Sequence, residues 1–192
     1  LIQLCLGNLY IWSTLTLYIT SALRKNDPTI DYYDTIMVYA TSLGMQGIMM
    51  ILAGYLEGML GSARAVIVIG CLLVASSCLV ASVLDNLLLF IIFYGGFFGS
   101  GFGIAYSSSI VLCVKFNSMQ KSLVTGCIVA GIGIGAFLFG SLASWIVNPE
   151  AEPVGPDGYY DPDSVQVQRV PLLLRSLGCI YSCLMVAGLY LM

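Results

Sequence analysis

The sequence predicts an all-α membrane protein built from six transmembrane helices. Hydrophobic residues make up 59% of its 192 residues and charged residues only 9%, where an ordinary soluble domain carries roughly a quarter charged residues. The mean hydropathy is +0.95. The apolar residues gather into six runs, at 1–23, 36–60, 65–84, 87–114, 123–147 and 170–192. Each is near the ~20 residues that a helix rising ~1.5 Å per residue needs to cross hydrocarbon. The expected product is a multi-pass integral membrane protein whose first partner is the lipid bilayer.

Taken in order, the first run carries Asn8, Tyr10 and Trp12 near mid-depth, and the second carries Gln46, with Glu57 one turn from its end. The third is poor in glycine. The fourth holds Gly95, Gly99 and Gly103, then Tyr106 and Ser107 to Ser109. The fifth contains "GIGIGA", with Gly131 and Gly135 four residues apart, and the sixth has Arg175 about one turn inside its start. A polar side chain in hydrocarbon must find a partner, because lipid tails offer none. Asn8, Tyr10, Trp12, Gln46 and Tyr106 therefore either join helices or line a cavity.

Glycines every four residues stack on one helix face and let backbones approach, which is how helices associate where burial drives little. "GIGIGA" also fits the spacing of a dinucleotide-binding turn. That motif needs a preceding strand and an acid about 20 residues on, whereas this stretch lies inside an apolar span. Packing is the expected role of Gly99, Gly103, Gly131 and Gly135.

Several function classes drop out. The net charge of −3 gives no basic surface for nucleic acid. Seven cysteines sit inside the spans without a C-x-x-C, and the chain has no histidine, so no metal or cofactor is expected. The three carboxylates of "DGYYDPD" miss the offsets of an EF-hand loop. We read the fifth connection, rich in Pro, Gly and Asp, as a solvated turn-forming segment. Short connections make neighbouring spans antiparallel, with both ends and the even loops on one side. Lysine and arginine divide three against three between the two sides, so the positive-inside rule assigns no orientation. The chain starts inside an apolar run without Met, and a fragment is the expectation.

Three stretches, "GNLYIWSTL" (7–15), "GYLEGMLGSAR" (54–64) and "GSGFGIAYSSSIVLCVKFNSMQKSLVTGCIVAGIGIGA" (99–136), resemble the amino-terminal half of major facilitator superfamily transporters. The nearest branch is the oxalate/formate antiporter and monocarboxylate transporter group. Gly54, Leu56, Gly61 and Arg64 fit the loop signature after helix two, while Gly58 and Met59 occupy its acid and base positions. Glu57 stands beside the vacant acid position. In the loop after helix four, Lys115, Phe116 and Lys121 keep the family's character, and Asn117, Ser118 and Ser122 depart from it.

The resemblance implies secondary transport of a small organic anion, a monocarboxylate or dicarboxylate, by alternating access and without catalysis. It implies a wall of Tyr10, Trp12, Gln46 and Tyr106 around the anion, and gating and packing roles for Gly54, Glu57, Gly61 and Arg64 with the four seam glycines. It also implies both termini and the even loops in the cytoplasm, and a partner of six further helices, the carboxyl-terminal half. A family aromatic in helix five is Ile132 here, which implies a different substrate. The same pattern also suits a structural membrane subunit or a nutrient sensor that keeps a transporter fold without transport.

Overall fold

The computed structural model describes residues 1–116 and 118–191; the expectations that fall on Asn117 and Met192 lie outside them. Six long helices cross the length of the bundle: α1 (Ile2–Arg24), α2 (Tyr32–Leu60), α3 (Ala63–Ala81), α4 (Leu87–Phe116), α5 (Lys121–Val147) and α6 (Val165–Tyr190). No strand occurs among the described residues. All six are long and apolar enough to span a bilayer. The chain is a multi-pass integral membrane protein.

Local chemistry sets the helix ends and moves several of them from the expected positions. α2 starts at Tyr32 rather than at residue 36, because the backbone N–H of Asp31 donates to the Asp34 carboxylate (2.9 Å), half of a capping box. α6 starts at Val165 rather than 170, where Ser164 Oγ accepts from the Val167 N–H. Arg175 therefore lies ten residues into α6, not one turn, and its Nε donates to Ser82 Oγ at 3.3 Å. α2 ends at Gly61, whose φ of +65° is a left-handed conformation that glycine adopts without strain. Ser62 then caps α3 by accepting from the Ala65 N–H.

The bundle is uneven in burial. Of an apolar 18-residue stretch of α1, 67% is buried inside the bundle, against 17% for the corresponding stretches of α2 and α5; α2 and α5 thus turn most of those stretches outward. Glycine seams hold the helices together. Gly95, Gly99 and Gly103 of α4 lie against the backbones of Val38, Ser42 and Gln46 of α2. On another face of α4, Gly101 meets Gly70 of α3. Gly135 of α5 lies against the Leu4 carbonyl, and Gly7 of α1 against Ile132 and Ala136. At each of these places an added Cβ would collide with backbone, which cannot move aside as a side chain can.

Two helices carry an irregular segment in their amino-terminal halves. α1 tightens into a 3₁₀ segment at Gly7–Ile11, and α4 widens into a π segment at Ile91–Phe98. Such segments inside long helices recur at hinges and functional sites. They face each other here, joined by a bond from Asn8 Nδ2 to the Tyr94 hydroxyl (2.8 Å) between two buried side chains.

The fifth connection departs from the expected solvated turn. Residues 150–157 are exposed, but Tyr160 is buried, and its N–H donates to Ser21 Oγ of α1 at 3.1 Å.

Candidate functional site

The 3₁₀ segment sets the site by turning successive side chains of α1 in different directions. Leu9 and Ile11 are buried in the bundle, while Tyr10 between them is 53% exposed. Tyr10 opens into a groove of about 440 Å³ between α1 and the first turns of α2, shared with Trp12, Ser13, Thr16, Tyr32 and Tyr39. Trp12 forms its buried wall, stacked on Tyr39 at 6.3 Å between centroids and tilted against Tyr94 at 6.0 Å.

A second aromatic row leads away from Tyr10. Its ring meets Phe102 edge-on at 6.4 Å, and Phe102 stacks on Tyr106 at 5.8 Å. On the far side of the groove the helices are held by hydroxyls: Thr35 Oγ1 of α2 lies 2.8 Å from Thr20 Oγ1 of α1. The lining offers apolar ring faces and hydroxyl groups, with no charged side chain among the groove residues. Hydroxyls both donate and accept, so such a wall can hold a small polar or anionic group by hydrogen bonds but supplies no countercharge.

The four residues expected at the wall divide between two places. Tyr10 and Trp12 share the groove, and Tyr106 stands one ring behind it through Phe102. Gln46 does not line the groove. It lies in the α2–α4 seam, its backbone carbonyl against Gly103 and its side-chain oxygen buried without a hydrogen-bond partner. The groove adds Tyr32, Tyr39, Ser13 and Thr16. Tyr32, Ile36 and Tyr39 recur at four- and three-residue spacing, a one-face pattern in the sequence, but only once α2 is known to begin at Tyr32.

At the other end of the bundle, Glu57 and Lys115 form an ion pair between α2 and α4. Gly54 has open space where a side chain would stand, Gly61 makes the left-handed turn, and Arg64 lies in the first turn of α3. Of the two α5 glycines expected at a seam, Gly135 is in backbone contact with α1, whereas a Cβ at Gly131 would stand 3.3 Å from the Gln3 Cβ. Among the described residues no cluster of His, Cys, Asp or Glu is grouped to hold a metal ion.

Six spans with an aromatic and hydroxyl-lined groove between α1 and the first turns of α2 define the class: a multi-pass membrane protein. Its sequence is similar to carriers and transporters. No family model matches the chain. It is 27% identical to apicoplast pyruvate carrier 1 of Toxoplasma gondii, an alignment covering 98% of this chain and 43% of the carrier. It is 29% identical over 85 residues to monocarboxylate transporter 13 of Rattus norvegicus, covering 44% of this chain and 20% of that protein. The Bos taurus form is 27% identical over the same length. The chain thus spans less than half the length of the curated relatives it matches.

Proposed function

We propose that this chain is one half of a secondary active transporter for a small monocarboxylate anion, the amino-terminal six helices of a major facilitator-type fold. The groove of Tyr10, Trp12 and Tyr39 carries the reading: it is open, ringed by hydroxyl donors and set beside two irregular helix segments. The similarity to a pyruvate carrier along nearly the whole chain supports the substrate class.

The anion is held by the hydroxyls of Tyr10 and Tyr39 against the Trp12 face, with Tyr106 and Gln46 deeper along the path. Because the groove supplies no cation, the charge is neutralised from the complementary half. That half docks on α2 and α5, whose outward faces carry Gly44, Gly47, Gly126 and Gly133 with nothing within 4 Å of a Cβ position. The two halves rock about the midplane site and expose it to each side in turn. Both termini and the even loops lie in the cytoplasm. The solute leaves unchanged, so the cycle requires no catalytic residue and no cofactor.

The test is uptake of labelled pyruvate by the full-length protein in proteoliposomes. Saturable uptake is expected, with Tyr10→Phe and Tyr106→Phe each raising KM by about fivefold through loss of one hydrogen bond. Absence of saturable uptake of any short monocarboxylate would overturn the reading, and unchanged kinetics in either variant would remove that tyrosine from the path.

A further inference from the structure

The fifth connection, between α5 and α6, is fastened across the bundle to α1 and α2. Hydrogen bonds from the Gly155 N–H to the Tyr159 carbonyl and from the Gly158 N–H to the Gly155 carbonyl, each 2.9 Å, shape its tip. Gly158 has a φ of +78°, a turn conformation that a side chain would strain. The turn presents Tyr159 and Tyr160 to different helices.

Tyr159 stacks on Tyr32 with centroids 4.7 Å apart, and the Arg24 guanidinium lies 4.0 Å above the Tyr159 ring. Its hydroxyl donates to Asp31 Oδ1 at 3.2 Å, the same oxygen that pairs with Arg24 Nη1 at 3.3 Å. Tyr32 answers by donating to the Gly158 carbonyl at 2.7 Å. Tyr160 stacks on Tyr18 of α1 at 5.7 Å. Burial and the Asp31 carboxylate hold the Tyr159 phenol above its ordinary pKa.

Tyr32 belongs to two structures at once. It is fastened by this turn, and it lines the outer end of the groove that contains Tyr10, Trp12 and Tyr39. The attachment consists of ring contacts and a few hydrogen bonds at the bundle surface, with the exposed residues 150–157 behind it. A segment so held opens at far lower cost than a helix packed through a glycine seam.

We propose that residues 158–160 form a clasp that closes the odd-loop end of the α1–α2 groove, acting through Tyr32 to set how freely the groove is entered from that side. The identity of the entering solute rests on the transport reading above; the clasp itself does not. Arg24 and Asp31 hold the clasp by a cation–π contact and a shared carboxylate, and release of Tyr159 frees Tyr32 to swing from the groove mouth.

The experiment places a reporter cysteine at Ser13, inside the groove, in the full-length protein in nanodiscs. Its modification rate by a charged methanethiosulfonate reagent is read after subtracting that of the parent protein, which carries the native cysteines. Tyr159→Ala is expected to accelerate labelling by about fivefold, since it removes the stack and the cation–π contact together. Tyr159→Phe keeps both and is expected to stay within about twofold, having lost only one hydrogen bond. A second reporter at Ser107, on α4 away from the groove mouth, is expected to label at an unchanged rate.

An unchanged Ser13→Cys rate in Tyr159→Ala overturns the clasp, as does equal acceleration at Ser107→Cys, which would mean general loosening. The labelling needs no transport. Accelerated labelling in a protein that moves no monocarboxylate would uphold the clasp and defeat the transport reading; saturable uptake with unaltered labelling would do the reverse.

Discussion

Lys115 Nζ donates to Glu57 Oε1 at 2.6 Å, tying the last turn of α4 to the last turn of α2 at the even-loop end of the bundle. The two side chains differ in setting: Glu57 is 18% exposed and Lys115 62%. A pair with one partner so open to solvent contributes about 0.2–1 kcal/mol. Glu57→Gln and Lys115→Gln should each lower thermal stability slightly, and the double variant should cost less than their sum. Unfolding in detergent across the double-mutant cycle checks this, and the coupling should shrink as salt is raised. Strict additivity at low salt would mean that the pair contributes nothing.

Helix contacts at the glycine seams should be steeply graded by position. Gly135→Ala and Gly99→Ala each drive a methyl group into a backbone carbonyl, of Leu4 and Ser42 respectively, and should cost about 1–3 kcal/mol. Gly131→Ala meets the Gln3 Cβ at 3.3 Å and backbone no nearer than the Leu4 N at 4.0 Å, and Gly96→Ala meets nothing, so both should melt near the parent. Thermal unfolding of the four variants in one detergent gives the ranking. Equal melting of Gly135→Ala and Gly131→Ala would sink the close-contact account of α5.

The six spans could be read directly from the sequence, because hydrocarbon demands long uninterrupted apolar runs and little else produces them. The four-residue glycine spacing in α4 and α5 was equally plain. Which glycine carries the contact was not, since Gly131 and Gly135 share a face and only the placement of Leu4 separates them. The groove was half visible: Tyr10 and Trp12 stand in a recognisable order, but Tyr32 and Tyr39 join them only through the register of α1 on α2. The attachment of Tyr159 and Tyr160 was invisible, because composition reports that a loop can turn and says nothing of partners more than 120 residues away. The 3₁₀ and π segments likewise reflect helix packing, not local propensity.

The tight turn into α4 depends on one side chain. Asn86 Oδ1 accepts from the N–H groups of Leu88 and Leu89 at 2.9 and 3.3 Å, satisfying two donors that the helix start leaves open. Asn86→Ala should therefore cost about 1 kcal/mol, whereas Asn86→Asp, which keeps the acceptor, should cost a few tenths. Hydrogen exchange of the α4 first-turn amides separates the two. Equal protection in all three proteins would show that the cap is dispensable.

Asn8 and Tyr94 carry the most consequential contact between the two irregular segments. Asn8 is 1% exposed and Tyr94 2%, and the Asn8 side-chain oxygen already lacks a partner. Tyr94→Phe removes the acceptor from Asn8 Nδ2 and leaves both polar atoms of that side chain unpaired among apolar neighbours, which should cost about 1–3 kcal/mol. Asn8→Ala strands the Tyr94 hydroxyl at similar cost. The double variant strands neither, and should be less destabilised than the sum of the singles by about 1 kcal/mol or more, as for two groups in direct contact. Because Tyr10 follows Asn8 by two residues in the same 3₁₀ segment, loss of the bond should also, on the transport function proposed above, raise the KM for a monocarboxylate more than it lowers kcat. Additive unfolding energies in the cycle would mean that the bond does not join the segments, and a fall in kcat at constant KM would place its effect on movement of the helices rather than on the groove.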